Sequence, residues 1–224
     1  MKIDILTLFP NMFEGFLTES IIKRAIQNEL VEINIINFRD YTPLKNNQVD
    51  DTIYGGGAGM LIRCEPIFEC LDKIKTDDSF VILLTPDGST FKQSIAYDLS
   101  KKKHLIFICG HYEGFDERIR TLVDMELSIG DFVLTGGEFA SICMIDAITR
   151  LIPGVINKDS LESESFTNNL LDYPMYTKPS EYRGLKVPDI LLSGDHKKID
   201  EWRLQQSIQK TKNKRPDIME KKDE

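Results

Sequence analysis

Ile3 to Phe9 is a short apolar run stopped by Pro10. Met12, Phe13, Phe16, Leu17, Ile21, Ile22, Ala25, Ile26 and Leu30 then recur at helical spacing. Val31 to Phe38 alternates apolar and polar residues as a strand does, so the chain is predicted to open β-α-β. A polar loop follows, with Asp50, Asp51 and the cluster Gly55-Gly56-Gly57-Ala58-Gly59. Pro66 to Ile74 reads as a helix. Phe80 to Leu84 reads as a strand ending in Thr85-Pro86-Asp87-Gly88, and Phe91 to Leu99 as a helix. Leu105 to Cys109 is a strand ending in Gly110-His111-Tyr112-Glu113-Gly114, with a helix over Phe115 to Val123. Ile129 to Leu134 is a strand or extended loop running into Gly136-Gly137. From Glu138, the positions Phe139, Ile142, Cys143, Ile145, Ile148 and Leu151 make a helix that Pro153-Gly154 ends. Strands alternating with helices predict an α/β layer with a mostly parallel sheet, and near-continuous apolar strands predict a sheet covered on both faces.

The texture changes after Gly154. Residues 157–165 are polar and acidic and read as a flexible linker, and Tyr173 to Pro188 is rich in proline and cations without a period. Asp195 is a helix N-cap candidate, and Ile199, Trp202 and Ile208 lie along the helix after it. The expected organisation is residues 1–157 as the α/β domain, 158–165 as the linker and 166–224 as a small, mostly helical domain. A chain of 224 residues can bury such a core without staples. The four cysteines, Cys64, Cys70, Cys109 and Cys143, form no C-x-x-C pair. They read as reduced thiols of a cytoplasmic protein, with neither disulfides nor structural zinc. No run reaches membrane-spanning length, and the first residues read as a buried strand instead of a signal peptide.

Charge sharpens this picture in one place. The whole chain carries −8, which argues against a protein that coats nucleic acid. Yet Arg203, Lys210, Lys212, Lys214 and Arg215 fall within residues 203–215 with no acid among them. That leaves −13 on the rest. Such a segment is either a solvated helix face or a local phosphate-binding surface.

Three strand candidates end in glycine-bearing loops, and in open α/β sheets ligands bind beyond the carboxyl ends of strands. Each loop alone reads as a tight turn; three in one sheet suggest a cleft. Neither G-x-G-x-x-G, nor the G-x-x-x-x-G-K-[ST] phosphate loop, nor a G-x-S-x-G elbow is present. Met60 stands where residues 55–59 would need a final glycine. Of His104, His111 and His196, which show no metal spacing, only His111 sits in a glycine loop; His104 reads as ending a helix or beginning a strand. The residues alone indicate an α/β enzyme whose uncharged or weakly charged cofactor is bound by backbone, with a basic helical appendage.

Several longer stretches resemble one family. They are Val49-Asp50-Asp51 with Tyr54 to Met60, Gly110-His111-Tyr112-Glu113-Gly114-Phe115-Asp116-Glu117-Arg118, and Ser128 to Glu138. Arg150-Leu151-Ile152-Pro153-Gly154-Val155, Leu170 to Pro174 and Val187 to His196 extend the match over nearly the whole chain. The family is the bacterial tRNA (guanine-N1)-methyltransferases, TrmD, of the SPOUT class. The resemblance implies a deep trefoil knot in the α/β domain, S-adenosylmethionine as cofactor, and a homodimer with active sites between subunits. It implies tRNA as partner, methylated at guanosine 37 next to a guanosine at 36, with the second domain gripping the RNA. A Mg²⁺ requirement is implied as well; no dedicated metal cage is visible, so a few carboxylates plus substrate would hold the ion. The alternatives are another SPOUT enzyme acting on rRNA or a ribose hydroxyl, and a non-enzymatic RNA-binding module using the basic helix.

The resemblance also assigns residues. Thr85, Pro86, Gly110, Tyr112, Glu113, Ser128, Ile129, Gly130, Asp131, Phe132, Val133, Leu134, Gly136 and Gly137 would surround the cofactor. Asp50, Gly59, His111, Arg203, Lys210, Lys212, Lys214 and Arg215 would contact RNA. Guanine N1 must lose a proton before it attacks, so a carboxylate base is needed, and an arginine would stabilise charge on O6. Arg150 is that arginine. Glu164-Ser165-Phe166 stands where the family has D-S-F, making Glu164 the expected base, with Asp172 also on a catalytic motif position. His111 replaces an arginine common in its loop.

Overall fold

The computed structural model describes residues 1–162 and 164–219. It divides into two compact units, Met1–Ile156 and the chain from Asn157 onward.

In the first unit β1 (Lys2–Thr7) leads through a 3-10 turn to α1 (Glu14–Thr18) and α2 (Ser20–Gln27), then to β2 (Glu32–Asn37). The single helix expected over residues 12–30 is broken. The Thr18 hydroxyl bonds back to the Glu14 carbonyl at 2.9 Å, and Ser20 takes φ +51°, so the chain restarts as α2. The polar loop that follows holds a small antiparallel hairpin, β3 (Asp50–Thr52) and β4 (Met60–Ile62). The glycine cluster is its tip. Next come α3 (Cys64–Ile74), β5 (Ser79–Thr90), α4 (Gln93–Leu99), β6 (His104–Ile108), a 3-10 turn over Glu117–Leu122, β7 (Met125–Ser128) and α5 (Glu138–Thr149).

The sheet order is β2-β1-β6-β5-β7, every pair parallel. All five residues of β6 are buried, and the core against α3 gathers Leu6, Ile67, Leu71, Val81, Leu83, Ile106 and Ile108. Two strands differ from expectation. β5 does not end at Leu84. It re-pairs with β7 at Ser89 and Thr90, leaving residues 85–88 as a bulge. The last strand is Met125–Ser128, one step upstream of Ile129–Leu134. Gly130, at φ +156°, turns the chain off the sheet. Phe132 and Val133 are therefore exposed, at 55% and 83%.

His104 begins β6 as a buried polar group. Its Nε2 lies 2.9 Å from Asp4 Oδ2 and its Nδ1 2.7 Å from Ser79 Oγ, tying the amino ends of β1, β5 and β6 together.

The second unit holds α6 (Lys158–Glu162), the hairpin β8 (Glu181–Tyr182) and β9 (Leu185–Lys186), α7 (His196–Lys214) and α8 (Pro216–Met219). Where a linker was expected, residues 158–162 carry neither glycine nor proline and form one helical turn. The Asp195 side chain caps α7 by accepting from the Lys198 N–H at 3.3 Å. Among the described residues no helix is long and apolar enough to cross a membrane.

Candidate functional site

A cleft of about 240 Å³ opens at the β5 bulge and beyond the carboxyl ends of β6 and β7. A single water needs only ~10–15 Å³ by the same measure, so the space suits an organic molecule. Thr85 and Pro86 enter it from the β5 bulge, Gly110 to Phe115 from the loop after β6, and Ser128, Ile129 and Phe132 to Gly137 from the loop after β7. Every residue expected around the cofactor lines this cleft except Gly130 and Asp131. His111, expected on the RNA, lines it too.

Glycine is required here for close approach. A Cβ on Gly137 would lie 2.8 Å from the Cys109 Cα, where the Gly137 N–H bonds the Gly110 carbonyl at 3.0 Å. The start of α5 thus docks directly on the end of β6. On Gly110 a Cβ would lie 2.6 Å from the Phe115 ring; its φ is not positive, so crowding and not backbone angle demands the glycine.

Sequence reasoning missed the braces around the cleft. Arg120 holds the bulge by bonding Asp87 at 2.9 Å, Glu117 at 3.0 Å and Glu126. The Thr85 hydroxyl first, and then Arg120, keep the Asp87 carboxyl below its ordinary range. Glu138 ends one motif and begins α5. It is fully buried and joins His111 to Thr7.

Asp50 and Gly59 lie on the β3–β4 hairpin, which is laced to the cleft loop. Glu113 N–H bonds the Met60 carbonyl, and Ile62 N–H bonds the Gly114 carbonyl, both at 2.9 Å. Gly59 has φ +79°, and a Cβ there would lie 2.5 Å from Glu113 Cγ. Asp50 and Gly59, two of the residues expected to touch RNA, thus sit on a hairpin bonded to the loop that walls the cleft.

In the second unit Glu164, Asp172, Tyr173, Asp200, Arg203 and Leu204 surround a separate concavity. Lys210 Nζ bonds Asp172 Oδ1 at 2.8 Å, and the Ser165 hydroxyl donates to the same oxygen at 3.0 Å. Lys210 first, with Ser165, holds the Asp172 carboxyl below the usual carboxylate range. Arg203 lies over the Tyr173 ring at 4.9 Å and pairs with Asp200, and Arg215 pairs with Asp217. Of the basic run, Arg203, Lys210 and Arg215 therefore have acidic neighbours from outside residues 203–215, whereas Lys212 and Lys214 point into solvent. Arg150 follows α5 at the end of the first unit and is half-buried. No cluster of three or more His, Cys, Asp or Glu side chains that could hold a metal ion exists among the described residues.

Fold and site define an α/β protein with a small-molecule cleft at the carboxyl edge of a parallel sheet, joined to a unit carrying a basic helix. The comparisons narrow this. A family model described as tRNA (Guanine-1)-methyltransferase TrmD matches residues 1–221, and the chain belongs to that family. It is 56% identical over 218 residues to a tRNA (guanine-N(1)-)-methyltransferase of Malacoplasma penetrans, covering 97% of this chain and 96% of the relative. Proteins of the same name from Staphylococcus aureus and Lactiplantibacillus plantarum are 55% and 54% identical, over 99% and 98% of this chain and 91% of each relative.

Proposed function

We propose that this chain transfers the methyl group of S-adenosylmethionine to N1 of guanosine 37 in tRNA, beside the anticodon. The observation that carries the reading is the cleft: the glycine-bearing loops after β6 and β7 meet the β5 bulge there, with no phosphate-binding motif, in a chain that the family model matches over residues 1–221. A cofactor without phosphate suits such a site. Backbone groups near Thr85-Pro86, Gly110 and Ile129 to Leu134 would hold its adenosine portion. When bound, S-adenosylmethionine supplies an electrophilic methyl group.

The chain's own residues do the rest. Glu164 accepts the N1 proton of the guanine, and Arg150 donates to O6 as negative charge moves there. Asp172 is a poor base while Lys210 and Ser165 engage it; Glu164 takes the role in this reading because it stands on the base position of the family motif. Asp50 and Gly59 contact the RNA from the hairpin, and Lys212 and Lys214 meet its phosphates.

The proposal includes a homodimer with active sites between subunits. Phe9, Met12 and Phe139 are exposed apolar side chains of the first unit, and burying them against a second copy would be favourable. It also includes the deep trefoil knot, a tRNA-binding role for the second unit, and residence in the cytoplasm. The test is mass mapping of a transcribed tRNA after incubation with enzyme and S-adenosylmethionine. A methyl group on guanine N1 next to the anticodon is expected. Methylation of a ribose, or of no nucleoside, overturns the reading.

A further inference from the structure

We infer that Glu138 is a positioning residue for the cofactor cleft: it fixes the His111 imidazole in one tautomer and, through that ring, holds the loop of residues 110–114 in place. This rests on reading the cleft as the S-adenosylmethionine site.

Glu138 is the first residue of α5, yet it is 0% exposed. A buried carboxylate is unfavourable unless its oxygens are well bonded. Here both are. Oε1 accepts from the Thr7 hydroxyl at 2.6 Å, and Oε2 lies 2.9 Å from His111 Nε2. The Thr7 oxygen already accepts the Phe9 N–H at 2.9 Å, so its one hydrogen points at Glu138. A carboxylate can only accept, so the imidazole must carry its hydrogen on Nε2. The N-terminus of α5 favours the negative charge.

Two neighbours show that the surroundings are shaped for this pair. The Phe9 ring packs on the imidazole with centroids 4.4 Å apart. A Cβ on Gly136 would fall 2.5 Å from both Glu138 Oε2 and His111 Cε1, so the pair requires a glycine in the cleft wall.

The reason for such a clamp lies one residue on. Tyr112 is a non-glycine residue at φ +60°, in the loop whose backbone lines the cleft. A left-handed backbone at such a residue persists only where its surroundings over-determine it. Glu138 supplies that constraint by tying His111 to α5 and, through Thr7, to the end of β1.

The test uses the full-length chain with ¹⁵N-labelled histidine, and S-adenosylmethionine titrated by calorimetry. Wild type should show His111 protonated on Nε2. In Glu138→Gln, Thr7 still donates to the amide oxygen, which turns the amide NH₂ toward His111. The ring should then accept at Nε2 and carry its hydrogen on Nδ1. S-adenosylmethionine affinity should fall about tenfold, the scale of exchanging a hydrogen bond to a charged group for one between neutral groups. Glu138→Asp should keep the Nε2–H form and recover part of the affinity. Unchanged ring-nitrogen signals in Glu138→Gln overturn the clamp. An inverted tautomer with normal affinity overturns its role in the cleft. If Glu138→Gln does not fold, His111→Asn serves instead, and normal affinity in that variant refutes the proposal. If wild type itself fails to bind S-adenosylmethionine, the reading of the cleft falls, while the ring-nitrogen signals still report on the pair.

Discussion

Replacing Gly110 by alanine tests the geometry of the cleft most directly. The new Cβ would stand 2.6 Å from Phe115 Cε2 and 2.8 Å from Cζ, roughly an ångström inside ordinary contact. The ring cannot simply swing away, because it packs against the core under β4 and α3. Overpacking of this kind costs about 1–3 kcal/mol. That strain has two outlets. If the ring yields, the fold loses stability, and Tm drops by about 2–4 °C for each kcal/mol in a chain of this size. If the loop of residues 110–114 yields, the cleft deforms and S-adenosylmethionine affinity drops, tenfold for each 1.4 kcal/mol. Calorimetry and thermal melts on the same samples read both. Gly110→Val should be worse in the same sense, and Phe115→Leu should rescue Gly110→Ala by removing the ring edge. Unchanged affinity and Tm in Gly110→Ala, or no rescue by the smaller side chain, would show that neither the crowding nor the cleft is where the argument puts it.

Three further outcomes are expected. Lys212→Ala and Lys214→Ala should each flatten the dependence of log affinity for tRNA on log salt by roughly 0.7–0.9. Arg215→Ala should do less, because Asp217 already engages that residue. In native protein one thiol should react quickly with a disulfide reagent, that of exposed Cys143. Cys64, Cys70 and Cys109 are buried, and burial pushes the Cys70 thiol up to about 12. The pair Lys210–Asp172 should make stability fall in acid. The folded carboxyl sits below its ordinary 3.8, so its contribution is present above that value and is lost as pH drops through the folded one. Denaturation midpoints of wild type and Lys210→Met should therefore converge below about pH 4.

The elements most legible in the sequence were those whose order follows from local pattern. β6 carries Leu105-Ile106-Phe107-Ile108 in a row and β1 carries Ile3, Ile5 and Leu6, and both are buried strands for that reason. β7 was misplaced because Met125-Glu126-Leu127-Ser128 carries only two apolar residues, while Phe132-Val133-Leu134 carries three in a row. Those three form the exposed rim of a cleft and take no part in the core, so an apolar run did not mark a strand there. The second half of β5 was hidden because proline and glycine normally end a strand. Its pairing with β7 is a non-local fact. Buried polar groups were the least legible. Asp4 and His104 are a hundred residues apart, and Glu138 looks like any acid in the first turn of a helix until Thr7 and His111 fold around it. The glycine loops were readable because a side chain's absence is written in the sequence. Which neighbour each absence accommodates was not.

The base assignment has the sharpest consequence. Asp172 and Glu164 line the same concavity of the second unit, and either could in principle take a proton from guanine N1. Glu164 stands on the base position of the family motif, and Asp172 is already engaged. Lys210 Nζ and the Ser165 hydroxyl occupy one Asp172 oxygen, and a carboxyl held below its ordinary range is a weaker base. Glu164→Gln should therefore lower the single-turnover rate by about 10²–10⁴-fold, the scale of general-base catalysis, with binding of tRNA and S-adenosylmethionine nearly intact. Asp172→Asn should act differently. Lys210 would keep the backbone carbonyl of residue 172, 2.8 Å away, but lose its charged partner, so RNA binding and stability should suffer alongside the rate. Glu164→Asp should retain much of the activity, since it keeps a carboxylate that is shorter by one methylene. Arg150→Ala should be severe by itself, yet the Glu164→Gln, Arg150→Ala double variant should lose far less than the sum in free energy, because both residues serve one transition state. The deciding measurement is single-turnover rate against pH for wild type, Glu164→Gln and Asp172→Asn. A near-normal rate with an unchanged pH profile in Glu164→Gln, together with a flat profile in Asp172→Asn, would move the proton transfer to Asp172. Lys210 would then have to release Asp172 when tRNA binds.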